Sequence, residues 1–315
     1  MSKKKSSIRF RELHGIVLLD KPLGQSSNEA LQIVRKGIFR AEKGGHTGAL
    51  DPLATGLLPL CFGEATKIAG MLLGNRKAYV AECRLGVTTT TADLEGEVVQ
   101  QRPVPALTDA SIEQALAKLR GRITQVPPAY SAIKQDGEPL YVKARRGEVV
   151  DVPAREVEIH RLDLLSRSED TLTLHVECGS GTYVRSLAVD LGEDLGCGAH
   201  LTALRRLWVE PFREPAMYSL EQLRELAAQG DDALLAALLP VSAGLAELPA
   251  IHLDEARSQA VSQGQQIPLE QPIEGRFAVF AGDGRLLALG EDAEGKLRIV
   301  RGFNLPSTGQ DAGSA

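Results

Sequence analysis

Apolar positions along the chain follow two periods, and the switches between them mark the elements. Residues 14–19, HGIVLL, form a short apolar run that ends at the turn DKPLG and predicts a strand. Ser26 or Ser27 then caps a helix through NEALQIVRKGIF, with apolar residues at 30, 31, 34 and 38. A glycine-rich loop follows, and GEATKIAGMLLG predicts a short helix after it. KAYVAECRLGV reads as a strand, TTTTADLEGEVV as a loop and hairpin, and TDASIEQALAKLRG as a capped helix. REVEIHRLDLLS and TLTLHVECG predict two more strands and TYVRSLAVDLGEDLG a helix, and the stretch HLTALRRLWVEPF comes next. Strands and helices in this order imply an α+β domain around a mixed or antiparallel central sheet with flanking helices.

Beyond Ser219 the pattern changes twice. SLEQLRELAAQGDDALLAALL is helical up to Pro240. After Pro249, one amphipathic helix, LDEARSQAVSQG, precedes FAVFAGDGRLLALGEDAEGKLRIVRGF, which reads as three strands, the first two joined at Asp283-Gly284. That predicts a small, mostly β domain over 247–305. It stands between a main domain over 13–246 and a disordered polar tail over 306–315, with a basic tail over 1–12.

Composition narrows the class. No run approaches the ~20 apolar residues of a membrane span, and no apolar signal core follows the basic start. Four cysteines, at 61, 83, 178 and 197, form no CxxC pair, which fits a reducing cytoplasm better than a disulfide framework or structural zinc. The formal charge is −5, of which residues 247–315, with six basic and ten acidic side chains, carry −4. A nucleic-acid partner therefore requires basic residues gathered on one face. The local candidates are Lys3, Lys4, Lys5, Arg9 and Arg11; Lys134, Lys143, Arg145 and Arg146; and Arg205 with Arg206.

The stretch with least structural excuse is GGHTGALDPLATG, residues 44–56, which sets Asp51 among four glycines. A lone aspartate in such a loop is most often an Asx-turn or a helix cap. Aspartyl-phosphate chemistry wants Mg²⁺ and further carboxylates downstream, and the nearest candidate, GDGR at 282–285, lies in the small β domain. No GxxxxGK[ST] occurs, Val184 replaces the third glycine of a dinucleotide loop after CGSG, and the six histidines show no HxH or HExxH spacing. What remains is a carboxylate that acts as nucleophile or base if something keeps it ionised. Arg185, at the start of a predicted helix, is a plausible counter-charge that would hold Asp51 below the reference value of about 3.9.

Five segments in one order, KPLGQSS (21–27), GHTGALDPLATGLLP (45–59), YVAECRLGVTTTTADLEG (79–96), VPPAYSAIKQDGEPLYVKARRG (126–147) and GTYVRSLAVDLGEDLGCGAHLTALRR (181–206), resemble bacterial tRNA pseudouridine synthases of the TruB type. The small β domain resembles the PUA domain that follows in that family. The resemblance implies isomerisation of uridine 55 in the T-arm loop after base flipping, with no cofactor and no metal. Leu50, Asp51, Thr55 and Gly56 match the motif around the family's catalytic aspartate, and Tyr79 and Arg185 match its active-site tyrosine and arginine. Tyr183 and Leu204 match residues lining the uridine pocket, and His46 the histidine that enters the loop vacated by the base. Lys21 matches a support of the catalytic loop. The segment of about 126–150 resembles an insertion that closes over RNA, so the basic clusters are expected to meet tRNA phosphates, while the acidic C-terminal domain is expected to contribute weakly. The reading implies a cytoplasmic monomer that binds the tRNA T-stem-loop and uses neither guide RNA nor membrane. An RNA-folding protein whose isomerisation is secondary is the alternative, and a guide-RNA-dependent relative is a weaker one.

Overall fold

Alternation in the first strand, β1 (Gly15–Lys21), sets the layers. Val17 and Leu19 enter one apolar core, and Ile16 and Leu18 enter a second core on the opposite face. The computed structural model describes residues 9–74, 76–131, 133–135, 137–148 and 150–306. Lys3, Lys4, Lys5 and the tail from 307 onward lie outside them.

The further strands are β2 Gly44–His46, β3 Ala54–Phe62, β4 Lys77–Leu85, β5 Val87–Thr89, β6 Val98–Gln101, β7 Gly121–Gln125, β8 Lys134–Gln135, β9 Glu138–Pro139, β10 Arg155–Arg167, β11 Thr171–Cys178 and β12 Ala199–Val209. In the last part of the chain come β13 Ala250–His252, β14 Arg276–Phe280, β15 Leu286–Ala293 and β16 Lys296–Gly302. The helices are α1 Ser27–Gln32, α2 Ala69–Leu73, α3 Asp109–Lys118, α4 Leu140–Arg145, α5 Val184–Asp194, α6 Leu220–Gln229, α7 Asp231–Leu235 and α8 Glu255–Ser262. The central sheet runs β1-β3-β12-β4-β11-β10-β7, with β2 also beside β3. Its neighbours are antiparallel except for β3 and β12, which run parallel. Among the described residues, no helix is long and apolar enough to cross a membrane.

Most predicted elements are present, and the local chemistry explains their ends. Ser26 caps α1 in a reciprocal box with Glu29, Thr108 caps α3 with Ser111, and Ser219 caps α6 with Gln222. The first helix does not continue as α through Ile38. Residues Ile33–Ile38 widen into π-helical turns, and Phe39 N–H donates to Val34 O. This brings Phe39 against Phe62, with ring centroids 5.4 Å apart. The helical stretch after Ser219 breaks at Gly230 (φ 126°) as well as at Pro240.

Strand β3 falls in a stretch that reads as loop in the sequence. Both its faces are buried, so LLPLCF shows no alternation, and Gly56 and Pro59 argue against a strand. Each is placed where it does no harm. Pro59 O accepts a bond from Thr47 N–H, so the donor-less nitrogen faces the same edge. There it lies between residues 54–56, paired to β12, and residues 60–62, paired to β2, and no bond to β1 is lost. Gly56 has φ 96°, and a Cβ on it would overlap the Arg206 backbone. Gly56→Ala is therefore expected to destabilise the chain by about 3 kcal/mol or more, seen as a lowered midpoint in urea unfolding. An unchanged midpoint would mean that the β3–β12 pair yields without cost.

The C-terminal part is mostly strands. β14, β15 and β16 form an antiparallel meander, and the short β13, not anticipated from sequence, pairs in parallel with β14. Ala278, Leu286 and Leu289 of this sheet share one apolar cluster with Ile16, Leu18, Leu57, Ile68 and Leu245. A polar seam adds to it: Lys67 Nζ donates to Gly302 O at 2.9 Å, and Asn304 N–H donates to Glu64 at 2.8 Å. The small sheet thus packs on the reverse side of the central one.

Candidate active site

Asp51 occupies the turn that leads into β3, at the end of that strand that pairs with β12. The turn is fastened from several sides. Ser27 Oγ accepts from Leu50 N–H (2.7 Å) and donates to Leu50 O (3.0 Å). Gly24 N–H donates to Pro52 O, and Ala54 N–H donates to Asp51 O. Lys21, fully buried, donates to Pro22 O (2.9 Å) and Gln25 O (2.5 Å) and so holds the neighbouring loop against Pro52. Burial lowers the pKa of Lys21 to about 8, with Asp51 pulling the other way. Beneath the turn, Arg206 donates to Gly48 O (2.9 Å) and Leu57 O (2.7 Å).

Arg185 stands on the first turn of α5 and meets Asp51, with Nε 2.9 Å from the carboxylate Oδ2. Its side chain is 5% exposed. It donates to Thr91 O (3.0 Å) and Tyr130 O (2.8 Å), and Asp93 Oδ2 lies 3.5 Å away. Contrary to the expectation of a depressed value, the Asp51 pKa is raised. Loss of hydration pushes it up, Arg185 pulls it down, and Asp93 pushes it up again. The sequence offered the counter-charge but hid the second carboxylate. Asp93, 3% exposed in its side chain, sits unmarked in TTTTADLEG.

Tyr79 of β4 lies opposite Arg206 in the β4–β12 register. Burial raises its hydroxyl to about 12, with Arg206 opposing, so it remains a neutral phenol at physiological pH. With Gly48, Leu50, Tyr183, Leu204 and Arg206 it lines a cavity of about 340 Å³. A wider cleft of about 850 Å³ adjoins it, lined by His46, Asn28, Thr90, Glu95, Tyr141 and Arg145 among others. Asp51 and Arg185 border both, so the carboxylate stands at the neck between them. His46 is half-buried with its Nδ1 unpartnered, and burial, reinforced by Arg206, lowers its pKa and favours the neutral ring.

The basic clusters separate. Arg205 and Arg206 do not form one patch, because consecutive strand residues point to opposite faces. Arg206 is 1% exposed beneath the cavity, which removes it from the expected phosphate contacts. Arg205 lies on the reverse face in a two-bond pair with Asp20 (3.0 and 2.8 Å). Arg146 is held by Glu138 and Glu148, each at 2.7 Å, while Arg145 covers the Tyr141 ring and lines the wider cleft. Lys134 is exposed on β8, and Lys143 on α4 lies 3.4 Å from Gln135 Oε1. Arg11 turns inward onto Phe39 O and Asp231, and Arg9 is exposed. In the C-terminal part, Arg257, Arg285 and Arg298 face Glu270, Asp283 and Glu291, while Arg276, Lys296 and Arg301 are exposed.

Residues 36–184 match the model of the TruB family pseudouridylate synthase N-terminal domain. Residues 185–246 match the tRNA pseudouridylate synthase B C-terminal domain, and residues 248–304 match the tRNA pseudouridine synthase II C-terminal domain. A tRNA pseudouridine synthase B of Xanthomonas campestris pv. campestris (strain B100) is 59% identical over 298 residues, 94% of this chain and 96% of that one. The enzyme of the same name from Pseudomonas fluorescens (strain Pf0-1) is 49% identical, over 90% of this chain and 93% of that one. Among solved structures, a chain of a Cbf5-Nop10-Gar1 complex superposes with a TM-score of 0.71 at 25% identity, covering 93% of this chain and 84% of that chain.

Proposed function

The chain belongs to the TruB family of pseudouridylate synthases, and from that premise we propose that it isomerises uridine 55 in the T-arm loop of tRNA. The observation that carries the reading is a carboxylate paired with a buried guanidinium at the neck between a base-sized cavity and a wider polar cleft. An RNA loop lying in the cleft would extrude one nucleotide into the cavity, at an unstacking cost of a few kcal/mol that protein contacts offset. Tyr79 and Leu204 would sandwich the uracil there, with Tyr183 closing the wall. Half-buried and neutral, His46 is shaped to occupy the gap left in the loop.

Asp51 would then act on the nucleotide as a carboxylate aimed by Arg185. Addition to C6, attack at C1′, and proton abstraction on a glycal-like route all need it there. In each, the C1′–N1 bond breaks, the ring turns in the cavity, C1′ bonds to C5, and the C5 proton is lost as N1 gains one. Atoms and electrons balance within the substrate, so the reading needs no cofactor. A neutral Tyr79 phenol beside the ring suits stacking and hydrogen-bond donation better than service as a free base. We assign residues 13–246 to this catalytic unit and 247–305 to a PUA-like unit, and we propose that a single chain works without guide RNA. Arg145, Lys134 and Lys143 are the basic side chains we expect along the RNA path.

The test is tritium release from an unmodified tRNA transcript labelled at C5 of its uridines. Release of one equivalent per tRNA, lost when uridine 55 is replaced by cytidine, is the expected result. Binding of the transcript without release would instead favour a protein that opens and recloses the T-arm.

A further inference from the structure

Helix α5 presents Arg185 from its first turn, yet its N-cap residue, Tyr183, provides no side-chain cap of its own. The cap is supplied from another element. Gln125, the last residue of β7 and 1% exposed, accepts from Tyr183 N–H (2.8 Å) and donates to Tyr183 O (3.1 Å). Its register partner on β10 is Arg155. That guanidinium covers the Tyr183 ring, 5.0 Å from its centroid, and donates to Gly181 O. Two residues paired across one ladder thus grip residues 181–183 by backbone and by ring. The stem that continues from Gln125 is tied to the same turn, since Ser186 Oγ donates to Val126 O at 2.8 Å and Arg185 donates to Tyr130 O.

We infer that Gln125 and Arg155 are positioning residues for the isomerisation: they hold the turn 181–183 so that Tyr183 faces the base and Arg185 meets Asp51. This rests on the reading of the site given above. Gln125 acts on the reaction through Tyr183 and Arg185. A buried amide that satisfies both the N–H and the C=O of one residue fixes that residue's orientation in a way that an apolar side chain of similar size does not. Errors of about 1 Å in a catalytic geometry cost on the order of 100-fold in rate.

The experiment compares the parent chain with Gln125→Leu, Arg155→Met and the double variant. It measures single-turnover tritium release at saturating tRNA, the Kd for the same tRNA, and the thermal midpoint. The expected result is a fall in the turnover rate of roughly 30-fold for Gln125→Leu and roughly 10-fold for Arg155→Met, with Kd changed by less than about 3-fold. The double variant should lose less than the product of the two, because both act on one turn. A parental single-turnover rate in folded Gln125→Leu, or losses confined to Kd, would overturn the inference. Should Gln125→Leu fail to fold, Arg155→Met decides alone by the same split between rate and Kd. A parent chain that binds tRNA but releases no tritium would sink the functional reading itself, and the inference with it.

Discussion

Asp51→Asn is expected to lower isomerisation by about 10⁴-fold or more, with tRNA affinity close to that of the parent. The amide keeps the shape of the side chain and can neither attack nor take a proton. The variant should also be at least as stable as the parent at neutral pH, because the folded-state pKa of Asp51 is raised. Such a group binds its proton more tightly when folded, so ionisation counts against the fold at every pH above the unfolded-state pKa. Asparagine removes that cost, and the advantage should vanish as pH falls below the unfolded-state value. Chemical unfolding at pH 7 and at acidic pH, beside the tritium assay, checks both halves. A variant that loses activity only because it unfolds would contradict the assignment.

Arg185→Met should produce the second large effect, and of a different kind. Asp51 and the buried Asp93 would face one another without their shared cation, and Thr91 O and Tyr130 O would lose their donors. Breaking a buried charge network in this way costs about 3–5 kcal/mol of stability, and the rate should fall by roughly 10²–10³-fold. The pH profile carries the diagnostic sign. Arg185 pulls the Asp51 pKa down and Asp93 pushes it up. Removing the arginine must therefore move the acidic limb of activity to higher pH, and Asp93→Asn must move it to lower pH. Limbs that stay where they are in both variants would mean that Asp51 is not the group titrating in the rate.

Signals carried by neighbours in the chain are legible in the sequence, and those carried by distant elements are not. Asp51 was legible because a carboxylate framed by glycines and a proline has little to contribute to a core. The caps at Ser26, Thr108 and Ser219 were legible because their partners lie three residues away. Strand β3 was not, since Gly56 and Pro59 make sense only against β12, β2 and Thr47, all distant in the chain or on another strand. Arg205 and Arg206 are adjacent in sequence and read as one basic cluster, whereas strand geometry sets them on opposite faces. The raised pKa of Asp51 depended on burial and on Asp93, and the grip on Tyr183 on a glutamine 58 positions earlier. Charge balance in a cleft is a sum over elements that meet only when folded.

The apolar cluster shared by the small C-terminal sheet and the reverse face of the central one has a practical consequence for dissecting the molecule. Cutting the chain near residue 247 would take away Ala278, Leu286 and Leu289 and uncover the part of this cluster that they close in the intact protein. Such a fragment would carry a sticky back, so poor activity in it would report clumping as readily as missing RNA contacts. Swapping exposed Arg276, Lys296 and Arg301 for glutamine leaves the shared core in place and asks the RNA question cleanly.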